Sequence, residues 1–145
     1  MDFLKYNVTV RLVHLYRNGR WIAGPIEAAE TPLERMRGLL GRDGLEGSSG
    51  MMFSGCSLVH TWFMRFPIDV VFLSREGRIL KLCEGLKPFR MAGSWSAAGV
   101  LEMGAGMARL LGLEVGQVLS FEGEAPAGAP AGAAGGEGSM EKAAR

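Results

Sequence analysis

The chain of 145 residues lacks a strong excess of charge of either sign. Its 16 lysines and arginines against 15 acids give a net charge of +1, too weak to attract nucleic acid or an anionic membrane by itself. It has no apolar run near the roughly 18 to 20 residues that span a bilayer. The N-terminus carries an acid at its second position and soon alternates apolar with polar residues, whereas a secretory signal has a basic end and a continuous apolar core. We therefore expect a soluble, cytoplasmic protein that binds neither nucleic acid nor membrane.

Cysteine and histidine are scarce, with two of each. In a reducing compartment we expect Cys56 and Cys83 to be free thiols. A structural zinc site usually takes four ligands, so both cysteines, His14 and His60 would all have to converge. The glycine-rich phosphate-binding motifs and the His-Glu-x-x-His motif are also missing. We predict neither a bound metal nor a cofactor.

The end of the chain has few large apolar residues and reads EGEAPAGAPAGAAGGEGSMEKAAR. From residue 122 onward it contains no Val, Ile, Leu or aromatic residue. Such a segment cannot bury enough apolar surface to offset the entropy lost on ordering. We predict a disordered tail over 122–145 and a single compact α+β domain over 1–121, a length that suits one core.

The body of the chain contains many short stretches with the spacing of strands. Val8, Val10 and Leu12 alternate with polar residues, and Asn18-Gly19 has the composition of a type I′ hairpin turn. The apolar tract 68–73 reads as a buried strand, and the turn SREG returns the chain to a partner strand, RILKLCEG. Two later stretches, GVLEM and GQVLSF, complete the predicted strands.

Two short stretches have the pattern of helices instead. Thr31, followed by Pro32 and Glu34, forms a capping box before apolar residues at helical spacing, and Gly41 ends that pattern. The second stretch is AGMARLLG. Strands outnumber helices, so the fold class is α+β, with a mainly antiparallel sheet curled towards a small barrel and two short helices.

Four segments, in their order and spacing, resemble the family catalogued as domain of unknown function 192. They are TPLERMRGLLGR, GMMF, HTWFMRFPIDVVFLSREGRI and VLEMGAGMARLLGLEVGQVL, over roughly 28–121. The resemblance implies a single α+β domain rich in antiparallel strands, and it implies no particular activity. The segment HTWFMRFP, with His60-Thr61 ahead of Met64, differs from the commonest form of the family and resembles a subgroup.

Asp69 is the most informative polar residue, because it lies within the apolar tract 68–73. A buried carboxylate without partners costs several kcal/mol or becomes neutral, so we expect Arg65, His60, Arg42 or backbone N–H groups to bind it. The main interpretation is that Asp69 holds the fold together around Pro67. A functional carboxylate is the alternative.

Glu102 is the second acid in an apolar strand. If the sheet places it beside Asp69, the two could act as a pair of acid and base; equally, Glu102 could pair with Arg90, Arg109 or a helix N-terminus. Residues 85–99 form a long irregular connection that contains Arg90 and Trp95, which makes it a candidate lid. Aromatic residues on either side of the Asp69 strand could line a pocket for a planar or anionic group.

These patterns favour a binding or accessory domain that holds a small molecule or an extended peptide in a cleft near the Asp69 strand. The candidate cleft consists of His60, Thr61, Arg65, Asp69, Arg90 and Glu102. One alternative is an enzyme, such as a hydrolase, in which Asp69 or Glu102 works with His60 within hydrogen-bond reach or through one water. Another is a structural interaction domain whose sheet edge or apolar face is covered by another chain. The sequence assigns no catalytic residue.

Overall fold

The computed structural model describes residues 11–29, 50–62, 64–124 and 127–128. The helix predicted from Thr31 lies outside these residues, as does nearly all of the predicted tail. The described part contains one short helix, α1, at Met107–Leu110. Its nine strands are β1 Arg11–Arg17, β2 Arg20–Ala29, β3 Gly50–Ser54, β4 Leu58–His60, β5 Ile68–Leu73, β6 Ile79–Leu86, β7 Met91–Gly93, β8 Gly99–Gly104 and β9 Leu119–Glu122.

Seven of these strands form one sheet in the order β6-β5-β8-β3-β2-β1-β9. Only β2 and β3 run parallel among these neighbours, so the prediction of a mainly antiparallel sheet is confirmed. The remaining two strands, β4 and β7, pair antiparallel as a separate two-stranded ribbon. Residues 85–99 thus contain a strand that their sequence did not predict, because three residues are too few to show an alternating pattern.

The sheet does not close into the barrel that the sequence suggested. Its two edge strands approach each other at a single bridge between Arg78 and Val118. The Ile79 amide donates to Gln117 O at 2.8 Å as one of the hydrogen bonds of that bridge. The Ile79 carbonyl then accepts from the Gly116 amide at 2.8 Å, in the connection before β9. The connection thus takes the position in which continued edge pairing would have closed the barrel.

The β1–β2 hairpin turn has the predicted geometry. Asn18 and Gly19 have φ angles of 53° and 73°, and the two strands pair from Arg17 with Arg20 onward. Positive φ at both central residues is what a type I′ turn requires, and Asn and Gly adopt it at the lowest cost. This prediction is confirmed.

The alternation of side chains along β5 and β8 divides the core into two layers. We call one the helix-side core; it includes Val71, Leu101 and Ala108 of α1. The other, the ribbon-side core, includes Val70 and Val59 of the ribbon. All six residues of β5 are buried, since the strand is covered on both faces. Each fully buried Val or Leu contributes about 1.5–3 kcal/mol relative to an exposed one.

Helix α1 has only four residues, too few to be stable alone, and charged side chains of the sheet bind both of its ends. At its C-terminal end the Arg17 guanidinium of β1 donates to Leu111 O at 2.8 Å and to Gly112 O at 3.1 Å. Carbonyl groups at a helix C-terminus lack partners within the helix and carry partial negative charge, so a cation there is favourable.

Candidate functional site

Asp69 lies on the helix-side face of β5 and is completely buried. Its Oδ2 accepts hydrogen bonds from the amides of Gly106, at 3.0 Å, and Ala108, at 2.9 Å. Its Oδ1 accepts from the Gly85 amide at 2.8 Å. These donors lie at the N-terminal end of α1 and near the end of β6. Asp69 therefore joins three segments of the fold, which is an architectural geometry.

Glu102 lies on the opposite face of the sheet from Asp69. In the β5–β8 pairing Asp69 is opposite Met103, while Glu102 is opposite Val70, and adjacent residues of a strand point to opposite faces. The structure therefore does not bring the two carboxylates together as an acid–base pair. Glu102 is 7% exposed, and burial raises the pKa of its carboxyl group from 4.5 to about 7.

Thr61 is completely buried and links the two strands of the ribbon beyond their paired residues. Its hydroxyl donates to Lys87 O at 2.6 Å and accepts from the Arg90 amide at 2.9 Å. Its carbonyl accepts from the Phe89 amide at 3.0 Å. Residues 87–90 are thereby fixed against the segment that carries His60 and Trp62.

The ribbon and the residues next to it carry exposed side chains, most of them apolar, which we call the ribbon surface: Leu58, His60, Trp62, Phe89 and Met91. Val59 points inward to the core, and its neighbours Leu58 and His60 point outward. His60 pairs with Met91 across the ribbon, and its ring centroid lies 5.4 Å from that of Trp62. Trp62 is 45% exposed and Phe89 61% exposed. Contiguous exposed apolar side chains of this kind commonly mark an interaction site.

The charged residues in the two segments that carry the ribbon surface all have the same sign. Segments 55–67 and 85–99 contain Arg65, Lys87 and Arg90 and no acid. All three cationic side chains are exposed. Of the six residues predicted for the cleft, His60, Thr61, Arg65 and Arg90 therefore belong to the ribbon and its flanks, while Asp69 and Glu102 are buried on opposite faces of the main sheet.

An open cavity of about 720 Å³ lies at the other end of the ribbon. No prediction from the sequence pointed to it, because its polar side chains come from three separate segments and form no motif. It is lined by Met52, Ser54, Gly55, Ser57, Ser74, Arg75, Glu76, Ser96, Ala97, Ala98 and Gly99.

Within the described residues, no three side chains of His, Cys, Asp or Glu converge in a way that could hold a metal ion. Cys56 and Cys83 are free thiols, and Cys56 Sγ lies 3.1 Å from Leu58 O. In the same part of the chain, no helix has the length and apolar character needed to cross a membrane.

The described residues thus form a mainly antiparallel β fold with one short helix and a two-stranded ribbon over one face. The chain belongs to the family domain of unknown function 192, described as Uncharacterized ACR, whose profile matches residues 13–121. The resemblance found in the sequence is confirmed. No curated protein matches the chain.

Two solved structures share this fold. One is a protein of unknown function from Novosphingobium aromaticivorans, with a TM-score of 0.66 and 21% identity over 79% of this chain and 89% of that one. The other, from Sinorhizobium meliloti, is proposed to be a transcription regulator; it has a TM-score of 0.66 and 28% identity over 75% of this chain and 91% of that one.

Proposed function

We propose that this protein is a cytoplasmic, non-catalytic binding or accessory domain whose ribbon surface holds an extended acidic peptide. The observation that carries the proposal is the ribbon surface itself: exposed apolar and aromatic side chains next to three exposed cations, in segments without an acid. Aromatic and apolar anchors supply contact area, while complementary charge orients the partner and speeds its association.

The hydrogen bonds of Thr61 support this proposal because they order the surface before a partner arrives. They fix the backbone of residues 87–90 against β4, which positions Phe89 and Arg90. On the other side of the ribbon, Lys81 Nζ of β6 donates to Gly93 O at 2.9 Å. A surface ordered in advance loses little conformational entropy on binding.

The choice of a peptide over nucleic acid follows from the amount and placement of charge. Single-stranded nucleic acid would also stack on aromatic rings, and a structural relative is proposed to be a transcription regulator. Nucleic acid affinity, however, comes largely from neutralising many phosphates, and this surface has three cations in a chain of net charge +1. An extended peptide can add backbone hydrogen bonds along the edge of a short ribbon.

Catalysis by Asp69 or Glu102 with His60 is less well supported. His60 points outward from the ribbon. Glu102 is buried on the ribbon side of the main sheet, and Asp69 binds α1 on the opposite, helix side. General acid–base catalysis needs these groups within hydrogen-bond reach or one water. The geometry therefore favours binding.

Fluorescence polarisation with a labelled peptide of alternating Glu and Phe residues tests the proposal, with the corresponding Lys-Phe peptide as the charge control. We expect the acidic peptide to bind at least tenfold more tightly. Trp62→Ala and Arg90→Glu should each weaken it about tenfold, which corresponds to about 1.4 kcal/mol. The matched control, Val115→Ala, removes an exposed apolar residue far from the ribbon in sequence and should change the affinity less than twofold.

Three results would contradict the proposal. The first is equal affinity for the two peptides. The second is unchanged binding in both ribbon variants, provided that circular dichroism shows them folded. The third is tighter binding of a labelled oligo-dT than of the acidic peptide, which would assign the surface to single-stranded nucleic acid.

A further inference from the structure

The serine-lined cavity lies at one end of the main sheet, where β3 and β5 end and β8 begins. Ser54 at the end of β3 pairs with Gly99 at the start of β8, and Gly99 pairs with Leu73 at the end of β5. The turn that follows β5 and the segment that precedes β8 form the walls. Backbone hydrogen bonds hold these walls to the strands, since the Ala98 amide donates to Leu73 O at 2.8 Å and the Gly55 amide donates to Ala98 O at 2.8 Å.

Hydroxyl groups dominate the polar lining. The Ser74 hydroxyl is occupied, since it accepts from the Arg78 amide at 3.1 Å. Ser54, Ser57 and Ser96 also line the cavity, and their hydroxyls form no hydrogen bond with any other described residue. A serine hydroxyl both donates and accepts, which suits a ligand whose own groups do the same.

The two charged residues of the lining have opposite signs. Arg75 and Glu76 are neighbours in the turn after β5. The pKa of the Glu76 carboxyl group lies below its ordinary value, chiefly because the backbone of Glu76 donates a hydrogen bond to it and, to a smaller extent, because the Ser74 side chain does. This side chain is therefore ionised at neutral pH. The charges cancel, which favours a neutral ligand over an anion or a cation.

Trp95 directly precedes Ser96 of the cavity lining and is completely exposed, at 104%. It occupies a tight turn in which the Ala97 amide donates to Ser94 O at 3.0 Å. The Ser94 amide donates in turn to Ser57 O at 2.9 Å, and Ser57 lines the cavity. A tryptophan with no packing partner presents a bare apolar face and a free indole N–H.

We propose that this cavity is a binding site for a neutral saccharide. A sugar ring combines hydroxyl groups that donate and accept with an apolar face of C–H groups. The apolar face stacks on Trp95, and the hydroxyls bind Ser54, Ser57 and Ser96 and the Arg75–Glu76 pair. The site is separate from the ribbon surface, and it stands whether or not that surface binds a peptide.

Indole N–H resonances test this proposal on the full chain, which contains three tryptophans. The probes are the methyl glycosides of glucose, galactose and mannose, titrated to a concentration on the order of 50 mM, because a small ligand with few contacts binds with millimolar affinity. At least one glycoside should shift the Trp95 indole resonance, assigned with Trp95→Phe, and leave that of Trp62 unchanged. Saturation transfer to the ring protons of the sugar should accompany the shift.

Matched variants separate this site from the ribbon surface. Trp95→Ala should weaken binding at least tenfold and Ser54→Ala about threefold, while Trp62→Ala leaves it unchanged. Saccharide binding that survives Trp95→Ala, or that is lost in Trp62→Ala, would overturn the assignment. So would the absence of a shift with all three glycosides, or tighter binding of glucuronate than of methyl glucoside.

Discussion

The Asp69 carboxylate on β5 lies 2.9 Å from the amide of Ala108 on α1 and accepts its hydrogen bond inside the core. The residue in the N-cap position of this helix is Gly106, which has no side chain to cap it. Asp69 supplies the missing acceptor from a strand that is 39 residues away in sequence. A sheet residue thus performs the capping that Ser, Thr or Asp usually performs within the helix segment.

Asp69→Asn should lower the free energy of unfolding by about 2–3 kcal/mol. The amide retains one acceptor oxygen, but its NH₂ group faces backbone N–H donors that then lack a buried partner. Urea unfolding followed by tryptophan fluorescence measures the change. The control is Glu84→Gln, which removes an exposed ion pair with Arg109 at 3.7 Å and should cost less than about 0.5 kcal/mol. Equal effects of the two variants would show that Asp69 does not hold α1.

Glu102 should make the protein less stable as the pH rises. Burial raises the pKa of its carboxyl group in the folded protein to about 7, so between about pH 4.5 and pH 7 the folded state binds more protons than the unfolded state. The stability contributed by the protonated form is fully present below pH 4.5 and is lost as the pH rises through 7. The loss amounts to about 3 kcal/mol.

Glu102→Gln tests this assignment, because glutamine has the same shape and does not ionise. Unfolding free energies of the two proteins, measured at several pH values from 4 to 8, should converge at the acidic end. At pH 8 the variant should be more stable by about 3 kcal/mol. Parallel pH profiles would show that Glu102 does not titrate in this interval.

Two glycines with positive φ should respond differently to alanine. At Gly19, with φ 73°, an added Cβ would meet no atom within 4 Å, so Gly19→Ala should cost only the backbone term of about 1–2 kcal/mol. At Gly77, with φ 87°, the Cβ would collide with the Leu119 carbonyl oxygen, and we expect at least twice that loss. Gly123→Ala, in open space without a positive φ, is the control. Equal losses at Gly19 and Gly77 would contradict the close approach of the two sheet edges.

Local patterns predicted the elements that depend on neighbouring residues. Asn18-Gly19 predicted the hairpin turn, and the apolar tract 68–73 predicted a strand covered on both faces. The burial of Asp69 was also predictable, because a carboxylate inside such a strand must be enclosed. Backbone N–H groups were among the expected partners, but which residues supply them, Gly85, Gly106 and Ala108, depends on which strands pair.

The candidate sites show the same limit. His60 lies on the ribbon and Arg90 next to it, as the predicted cleft requires. Glu102 lies elsewhere, because a shift of one residue along a strand reverses the face of the sheet, and the sequence does not show which face Glu102 occupies. The serine cavity combines residues from three segments whose proximity exists only in the folded chain. No sequence pattern of one segment could have revealed it.

The pairing of β1 with β9 has a consequence for synthesis of the protein. Leu15 lies opposite Phe121, so the first described strand finds one of its two partners only among the last residues of the domain. On the ribosome, the outer edge of β1 stays open until that part of the chain has emerged. An unpaired strand edge is a template for association with other chains. Nascent chains are therefore most exposed to misassembly just before the domain is complete.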